Sequence, residues 1–200
     1  FILMKKLTII ESLKNWKRKL RWDRQYKSGK WNYLFENEEE PRYNGIINAI
    51  SKYIENPKLL DLGAGEGVLR FKLKEQNSLL KYYCGVDFSQ VSIKKAKKFN
   101  FDNSKFVVAD LHYYTPDQNY DAIIFNEAFY YINQKLKSDV LERVLSKLNT
   151  NGILIVSIFK EGEGCWEFFN HEKLEELEFT KIESSKENRY WKLGVYRKKN

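Results

Sequence analysis

Two cysteines, two histidines, three prolines and one methionine are all that the 200 residues contain of those types, and each scarcity removes an explanation. Cys84 and Cys165 stand far apart and neither belongs to a C-x-x-C pair, so neither a disulfide framework nor a zinc ribbon is expected. His112 and His171 form no H-E-x-x-H, and no carboxylate-rich loop joins them, so no metal site is expected. Few prolines, ten glycines and the lack of an internal repeat exclude collagen-like and low-complexity architectures. No apolar run approaches the roughly 18 residues of a membrane span. Phe1-Ile2-Leu3-Met4 is too short and unflanked for a signal peptide, which predicts a cytoplasmic protein with Met4 as its expected start. What the chain has in quantity is aromatic and charged: thirteen Tyr, thirteen Phe and five Trp, with 31% charged and 42% hydrophobic residues. That composition describes a folded, soluble domain and not a disordered one.

The formal charge of +8 is unevenly spread. Residues 1–30 carry a net +8 and residues 186–200 a net +5, leaving −5 for the body of the chain. A nucleic-acid reader spreads Lys and Arg over its binding face, so an acidic body argues against a nucleic-acid partner. The basic termini read most simply as solvated surface. The alternative is contact with phosphates of a nucleotide-linked or lipid-linked substrate, or weak contact with an anionic membrane surface.

Thr8-Ile9-Ile10-Glu11 has the T-x-x-E form of a capping box, and Ile9, Leu13, Trp16 and Leu20 follow at helical spacing, predicting a basic amphipathic helix. An aromatic, irregular segment is expected from Trp22 to Trp31, then an acidic run closed by Pro41 and a second helix striped by Tyr43, Ile46, Ile47, Ile50 and Ile54. From Lys58 short apolar runs alternate with helical stretches, the pattern of β-α-β units and a parallel sheet. Strands are expected near 58–62, 81–87, 105–109, 120–126 and 153–159, and helices near 67–76, 90–99 and 134–148. A polar helix near 171–178 and an antiparallel hairpin of 179–185 with 189–197 complete the reading. No linker divides the chain, which reads as one domain, 1–200, with 1–42 an N-terminal helical extension and lid and 43–200 an α/β core.

The chemistry is concentrated in Leu59-Leu60-Asp61-Leu62-Gly63-Ala64-Gly65-Glu66-Gly67, a strand ending in a glycine-rich turn that opens a helix. Such a turn lets a ligand approach the backbone closely. The dinucleotide fingerprint G-x-G-x-x-G is not matched, because the third glycine comes one residue early, and there is no G-K-[ST] of a P-loop. Asp61 would repel a pyrophosphate but suits a ligand carrying an ammonium or sulfonium. At the ends of the next strands, where ligands of open α/β sheets bind, stand Asp87, Asp110 and Asn126. Asp87 can accept from both hydroxyls of a ribose, and Asp110 from the exocyclic amine of an adenine.

In these motifs the sequence resembles the class I, Rossmann-like S-adenosylmethionine-dependent methyltransferases over residues 43–160. The resemblance implies an α/β three-layer sandwich with a mostly parallel seven-stranded sheet and an antiparallel C-terminal hairpin. It implies S-adenosylmethionine as cofactor and S-adenosylhomocysteine as product. Asp61, Gly63, Ala64 and Gly65 would hold the methionine part, Asp87 the ribose, and Phe88, Asp110 and Leu111 the adenine, with Asn126 beside the transferable methyl. No asparagine-proline-proline-tyrosine motif follows the fourth strand, which disfavours DNA methylation.

Candidates for proton transfer follow Asn126, where Glu127, Tyr130 and Tyr131 put a carboxylate and two phenols near the cofactor's reactive end. His112 and Glu161 to Glu163 are weaker candidates, and His171 reads as the start of the late helix. The stretch Asn126-Glu127-Ala128-Phe129-Tyr130-Tyr131 is similar to that of nodulation-factor N-methyltransferases and of small saccharide-modifying methyltransferases. This likeness implies a sugar, sugar nucleotide or glycolipid precursor as methyl acceptor, at oxygen or nitrogen. Tyr26, Gly29 and Trp31 are expected to form a lid over cofactor and acceptor. A nicotinamide-dependent oxidoreductase, or a degenerate fold that binds the cofactor without turnover, are the competing expectations.

Overall fold

In the computed structural model residues 6–162 and 164–199 are described; the expected start at Met4 and the candidate Glu163 lie outside the described residues. The capping box forms: Glu11 N–H donates to Thr8 Oγ1 at 3.2 Å, Thr8 N–H donates to Glu11 Oε2 at 2.8 Å, and helix α1 runs from there over Ile9–Lys27. The helix thus includes Trp22 to Lys27, which were expected to be irregular. No glycine or proline interrupts that stretch, and the first break comes at Gly29, whose φ of +76° closes the turn.

Helix α2 (Glu40–Tyr53) starts with Pro41 in its first turn and buries Tyr43, Ile46, Ile47 and Ile50. The expected boundary between extension and core at 42/43 falls inside it. The alternation then proceeds through β1 (Lys58–Leu62), α3 (Val68–Glu75), β2 (Tyr82–Asp87), α4 (Gln90–Lys97), β3 (Ser104–Val108), β4 (Tyr120–Asn126), α5 (Lys137–Leu145), β5 (Leu148–Phe159), β6 (Leu174–Glu183) and β7 (Tyr190–Lys198). These strands form one seven-stranded sheet of order β3-β2-β1-β4-β5-β7-β6, parallel from β3 to β5 and antiparallel at β5–β7 and β7–β6.

Period-2 alternation divides each strand between two cores. Leu60, Leu62, Ile123 and Phe125 pack with α5, while Leu59, Tyr83, Ala122 and Ile124 pack with α2, α3 and α4. This is the three-layer arrangement implied by the sequence. Asp61, paired in register with Gly85 and Ile124, shares the α2 face, as do Asp87 and Asn126 one alternation further on.

Two segments differ from expectation. Residues 174–178 belong to β6 and not to a helix: Leu174 and Leu177, three apart in the sequence as on a helix, pack into opposite cores, and the strand's alternation is interrupted by a bulge between Glu176 and Glu178. His171 accordingly begins no helix. The turn Asn149-Thr150-Asn151-Gly152 lies inside β5, where the register jumps from Leu148 opposite Tyr120 to Ile153 opposite Ala122 and Asn151 takes φ +61°. Helix α5 is correspondingly shorter than expected and is preceded by a tight turn over Gln134–Leu136.

Candidate active site

The five parallel strands β3, β2, β1, β4 and β5 end along one edge of the sheet, and the order reverses between β1 and β4, where successive connections leave in opposite directions. Over that edge lies a cavity of about 390 Å³, closed on its outer side by α1 and the turns that follow it. Its two halves differ in chemistry.

The β1–β2 half is polar and backbone-rich. Gly63 and Gly65 adopt φ +90° and +55°, and a Cβ on Gly63 would stand 2.5 Å from the Cβ of Ala128, so only glycine fits there. Gly65 N–H donates to Asp87 Oδ2 at 2.9 Å, while Asp87 Oδ1 accepts from Ser89 N–H at 2.8 Å and Ser92 Oγ at 3.0 Å. Burial raises the Asp87 carboxyl, opposed by these same bonds. Asp61 is fully buried beneath the turn. Its Oδ2 accepts from Tyr83 Oη at 2.6 Å, its Oδ1 has no partner, and burial pushes its carboxyl up to about 7.

At the β3 end, Asp110 is held by Asn15 Nδ2 of α1 at 2.6 Å and by His112 Nδ1 at 2.6 Å. Burial works to raise this carboxyl, but the bonds from His112 outweigh it and hold it below the usual range. His112 Nε2 accepts the Asn133 N–H at 3.0 Å, so its proton sits on Nδ1, facing Asp110. With both ring nitrogens engaged, His112 lines the cavity as a strut. Phe88 meets the edge of Trp22, which in turn abuts Tyr131 at 4.8 Å between ring centroids. Leu111 also lines this half.

The β4–β5 half contains a buried charge network absent from the sequence reading. Arg42 of α2 donates to Glu39 Oε2 through Nε at 3.2 Å and Nη2 at 2.8 Å, and through Nη1 to Asn126 Oδ1. Arg189, at the head of β7, pairs with the other oxygen of Glu39. Arg42 and Glu39 are each only 2% exposed, and burying such a pair costs about as much as it returns. Glu39 looked like part of a solvated acidic run. Arg189 looked like part of a basic tail. The signal that could have found it is the antiparallel hairpin, which brings the start of β7 beside the ends of the parallel strands.

Glu127 follows Asn126 with a left-handed φ of +56°, a strained backbone for a residue bearing a side chain. The turn aims its carboxylate across at β5: Oε1 accepts from Ser157 Oγ at 3.0 Å, and Oε2 accepts from Phe159 N–H at 3.1 Å and Tyr130 Oη at 3.0 Å. Burial raises its pKa, opposed by Arg42 and by these three donors. Tyr130 and Tyr131 pack at 4.5 Å between centroids.

Of the expected lid residues, Tyr26 and Trp31 line the cavity, 5.9 Å apart between ring centroids, with Tyr26 Oη over Gly65. Gly29 does not line it and instead closes the turn between them. Glu161 lies outside, on an exposed depression, accepting from Tyr190 Oη at 2.6 Å. His171 pairs with Glu142 on the surface. Among the described residues no group of His, Cys, Asp and Glu is arranged to hold a metal.

The sheet order, the edge cavity and the glycine turn define a Rossmann-like protein of the class I methyltransferase type. Residues 55–198 match the family described as methyltransferase domain, and the chain belongs to that family. Malonyl-acyl-carrier-protein O-methyltransferase 2 of Ilyobacter polytropus is 30% identical over 119 residues, covering 58% of this chain and 43% of that one. Carboxy-S-adenosyl-L-methionine synthase of Hydrogenovibrio crunogenus is 26% identical over 167 residues, covering 74% and 66%. The matched parts thus span less than two-thirds of these curated relatives' lengths. Among solved structures, the N-methyltransferase NodS of Bradyrhizobium japonicum in complex with S-adenosyl-L-homocysteine superposes with a TM-score of 0.72 at 16% identity, covering 84% of this chain and 91% of that one. The 1,6-didemethyltoxoflavin-N1-methyltransferase of Burkholderia thailandensis gives 0.73 at 16% identity, covering 98% and 93%. At these identities the two structures speak to fold.

Proposed function

We propose that this protein transfers a methyl group from S-adenosylmethionine to a hydroxyl or amine of a small, saccharide-related molecule. The observation that carries the reading is one continuous cavity running from the glycine turn and Asp87 to Glu127 and Tyr130.

The residues present fit the cofactor. Asp61 does not line the cavity but lies buried beneath the glycine turn, where its Oδ1 has no partner and contributes negative charge close under the ligand's place. The turn Gly63 to Gly65 lines the cavity with its N–H groups already given to the Val86 carbonyl and to Asp87, so it supplies close approach and not free donors; Asp87 retains lone pairs for hydroxyl donors, and Phe88, Asp110 and Leu111 bound the far end. When bound, S-adenosylmethionine supplies an electrophilic methyl group on a sulfonium.

The chain's own contribution is alignment, exclusion of water and, for a hydroxyl acceptor, movement of one proton. Tyr130 Oη donates its hydrogen to Glu127 Oε2 and so turns its lone pairs toward the cavity. A hydroxyl acceptor passes its proton to Tyr130 Oη as the phenolic proton moves to Glu127 Oε2. An amine acceptor needs only to be oriented with its lone pair free. The strained turn at Glu127 and the clamp of Ser157 and Phe159 hold the pair in place, with Tyr131 positioning Tyr130.

The saccharide class is supported by the walls of the β4–β5 half. Trp31, Tyr33 and Phe159 offer flat apolar faces, while Trp31 Nε1 and Arg189 Nε are buried donors without partners. Aromatic faces with unpaired donors suit the alternating C–H faces and oxygen rims of a sugar.

Calorimetric titration with S-adenosylmethionine, S-adenosylhomocysteine and NAD tests the cofactor. Micromolar binding of the first two, none of NAD, and loss of binding in Asp87→Ala is the expected result; NAD binding alone refutes it. Methylation of a panel of sugar nucleotides, with acceptor amines lacking a sugar as the contrast, then tests the acceptor.

A further inference from the structure

Helix α1 packs the wrong way round for its composition. Its apolar stripe is the one expected to bury, yet Ile9, Ile10, Leu13 and Trp16 are 82%, 67%, 54% and 56% exposed. The side that faces the domain is instead the polar one: Glu11 bonds Lys135, Asn15 bonds Asp110, Arg18 bonds the Tyr131 carbonyl and Asp23 bonds Ser89. At 100° per residue, Ile9, Leu13 and Trp16 fall within one narrow arc roughly opposite Asn15, Arg18 and Trp22. Nothing among the described residues covers that arc.

Charge selects what does. Lys6, Lys14, Lys17, Arg21, Arg24 and Lys27 are all exposed along this helix and its entry. Both acids of α1, Glu11 and Asp23, are turned inward and paired. The outer face therefore carries exposed cations, large apolar groups and no exposed acid. A second copy seated on the same face would set those cations against their equals, so self-association there is opposed. The face is also a convex helix surface with no groove to seat a peptide. Apolar groups including a tryptophan, flanked by Lys and Arg whose stems can extend outward, are the composition of a helix lying in the headgroup region of an anionic bilayer.

We propose that α1 docks this protein on an anionic membrane surface, with Ile9, Ile10, Leu13 and Trp16 inserted and the Lys and Arg side chains on lipid phosphates. The inner side of the same helix supplies Asn15, Arg18, Trp22 and Tyr26 to the cavity wall. Docking thus places the cavity one helix diameter, about 10 Å, behind the lipid surface. The C-terminal basic residues Arg197 and Lys198 take no part: the antiparallel β7 carries them to the opposite end of the sheet.

The test is sedimentation of the full chain with vesicles of phosphatidylcholine alone and with phosphatidylglycerol added. Binding is expected on the anionic vesicles only, reversed by high salt, and weakened about tenfold or more by either Trp16→Ser or Leu13→Ser. Lys14→Glu with Lys17→Glu is expected to act in the same direction. S-adenosylhomocysteine affinity, unchanged in these variants, reports that they are folded. Absence of binding to anionic vesicles, or binding indifferent to Trp16→Ser and Leu13→Ser, overturns the proposal. So does a wild-type dimer in sedimentation velocity that Trp16→Ser dissolves, which would assign the face to a second copy.

Discussion

Asp61 is fully buried beneath the glycine turn and Glu127 half-buried just past the end of β4, and the environments of these two carboxyls push them to different uses. Asp61 has an unpaired oxygen and a carboxyl raised to about 7 by burial. Its value in the fold lies above that of the unfolded chain. The folded state therefore holds the extra proton between roughly pH 4 and pH 7, and stability falls as pH rises through that window. Asp61→Asn keeps the acceptor for Tyr83 and removes the titration. Its thermal midpoint is expected to vary less between pH 5 and pH 8 than that of the wild type, which scanning calorimetry at the two pH values measures. The ammonium of a bound ligand favours the charged form of Asp61, so affinity for S-adenosylhomocysteine, whose only cation is that ammonium, should increase from pH 6 to pH 8 in the wild type and stay low and flat in Asp61→Asn.

Glu127, also raised by burial, is surrounded instead by three donors that favour its charged form. Acting as proton acceptor, it loses function as pH falls through a value above the usual carboxylate range. Glu127→Gln should remove that acid limb and lower turnover on a hydroxyl acceptor about 10²–10⁴-fold, with cofactor affinity within a few-fold of wild type. Equal loss of both in a titration and a rate assay would assign Glu127 to structure alone.

At the scale of elements, the glycine turn joins backbone to function most directly. Gly63→Ala must adopt φ +90° and places a methyl 2.5 Å from Ala128. A loss of about 1–3 kcal/mol in urea unfolding, with cofactor affinity falling alongside, is the expected outcome. This turn and the strands around it were legible in the sequence because continuous apolar runs, terminal acids and glycines all point to the same local structure. Elements whose periodicity is locally broken were not. The bulge at Glu176 disguised the start of β6, and the irregularity before Ile153 hid the first five residues of β5. The network of Glu39, Arg42 and Arg189 was illegible for another reason. Arg189 lies 150 residues from Glu39, and each member carries a charge that in isolation reads as solvated surface. Helix α1 was read correctly as amphipathic, but which of its faces meets the domain depends on partners such as Asp110 and Ser89 that periodicity does not contain.

Across the whole molecule, the reversal of strand order divides the cavity into a half over β2 and β1, bounded by the glycine turn, and a half over β4, β5 and β7, bounded by the Arg42 network. The division predicts separable phenotypes. Arg189→Ala removes one cation from Glu39 and a donor from the far wall while touching nothing around Asp87. Its KM for the acceptor should increase severalfold or more, and its affinity for S-adenosylhomocysteine should hold. Helix α1 and the turn after it span both halves, through Asn15, Trp22, Tyr26 and Trp31, so a ligand in the first half should steady the cover over the second. Hydrogen exchange followed by mass spectrometry measures this directly. S-adenosylhomocysteine is expected to slow exchange in residues 15–35 and in the turn 63–67, and to leave the distal halves of β6 and β7 as they were. Uniform protection of the whole chain would mean that the cofactor stabilises the fold globally and that α1 is not a cover in its own right. Protection confined to 63–67 would mean that the helix stays fixed whether or not the site is filled, and that acceptors reach the cavity past a permanent wall.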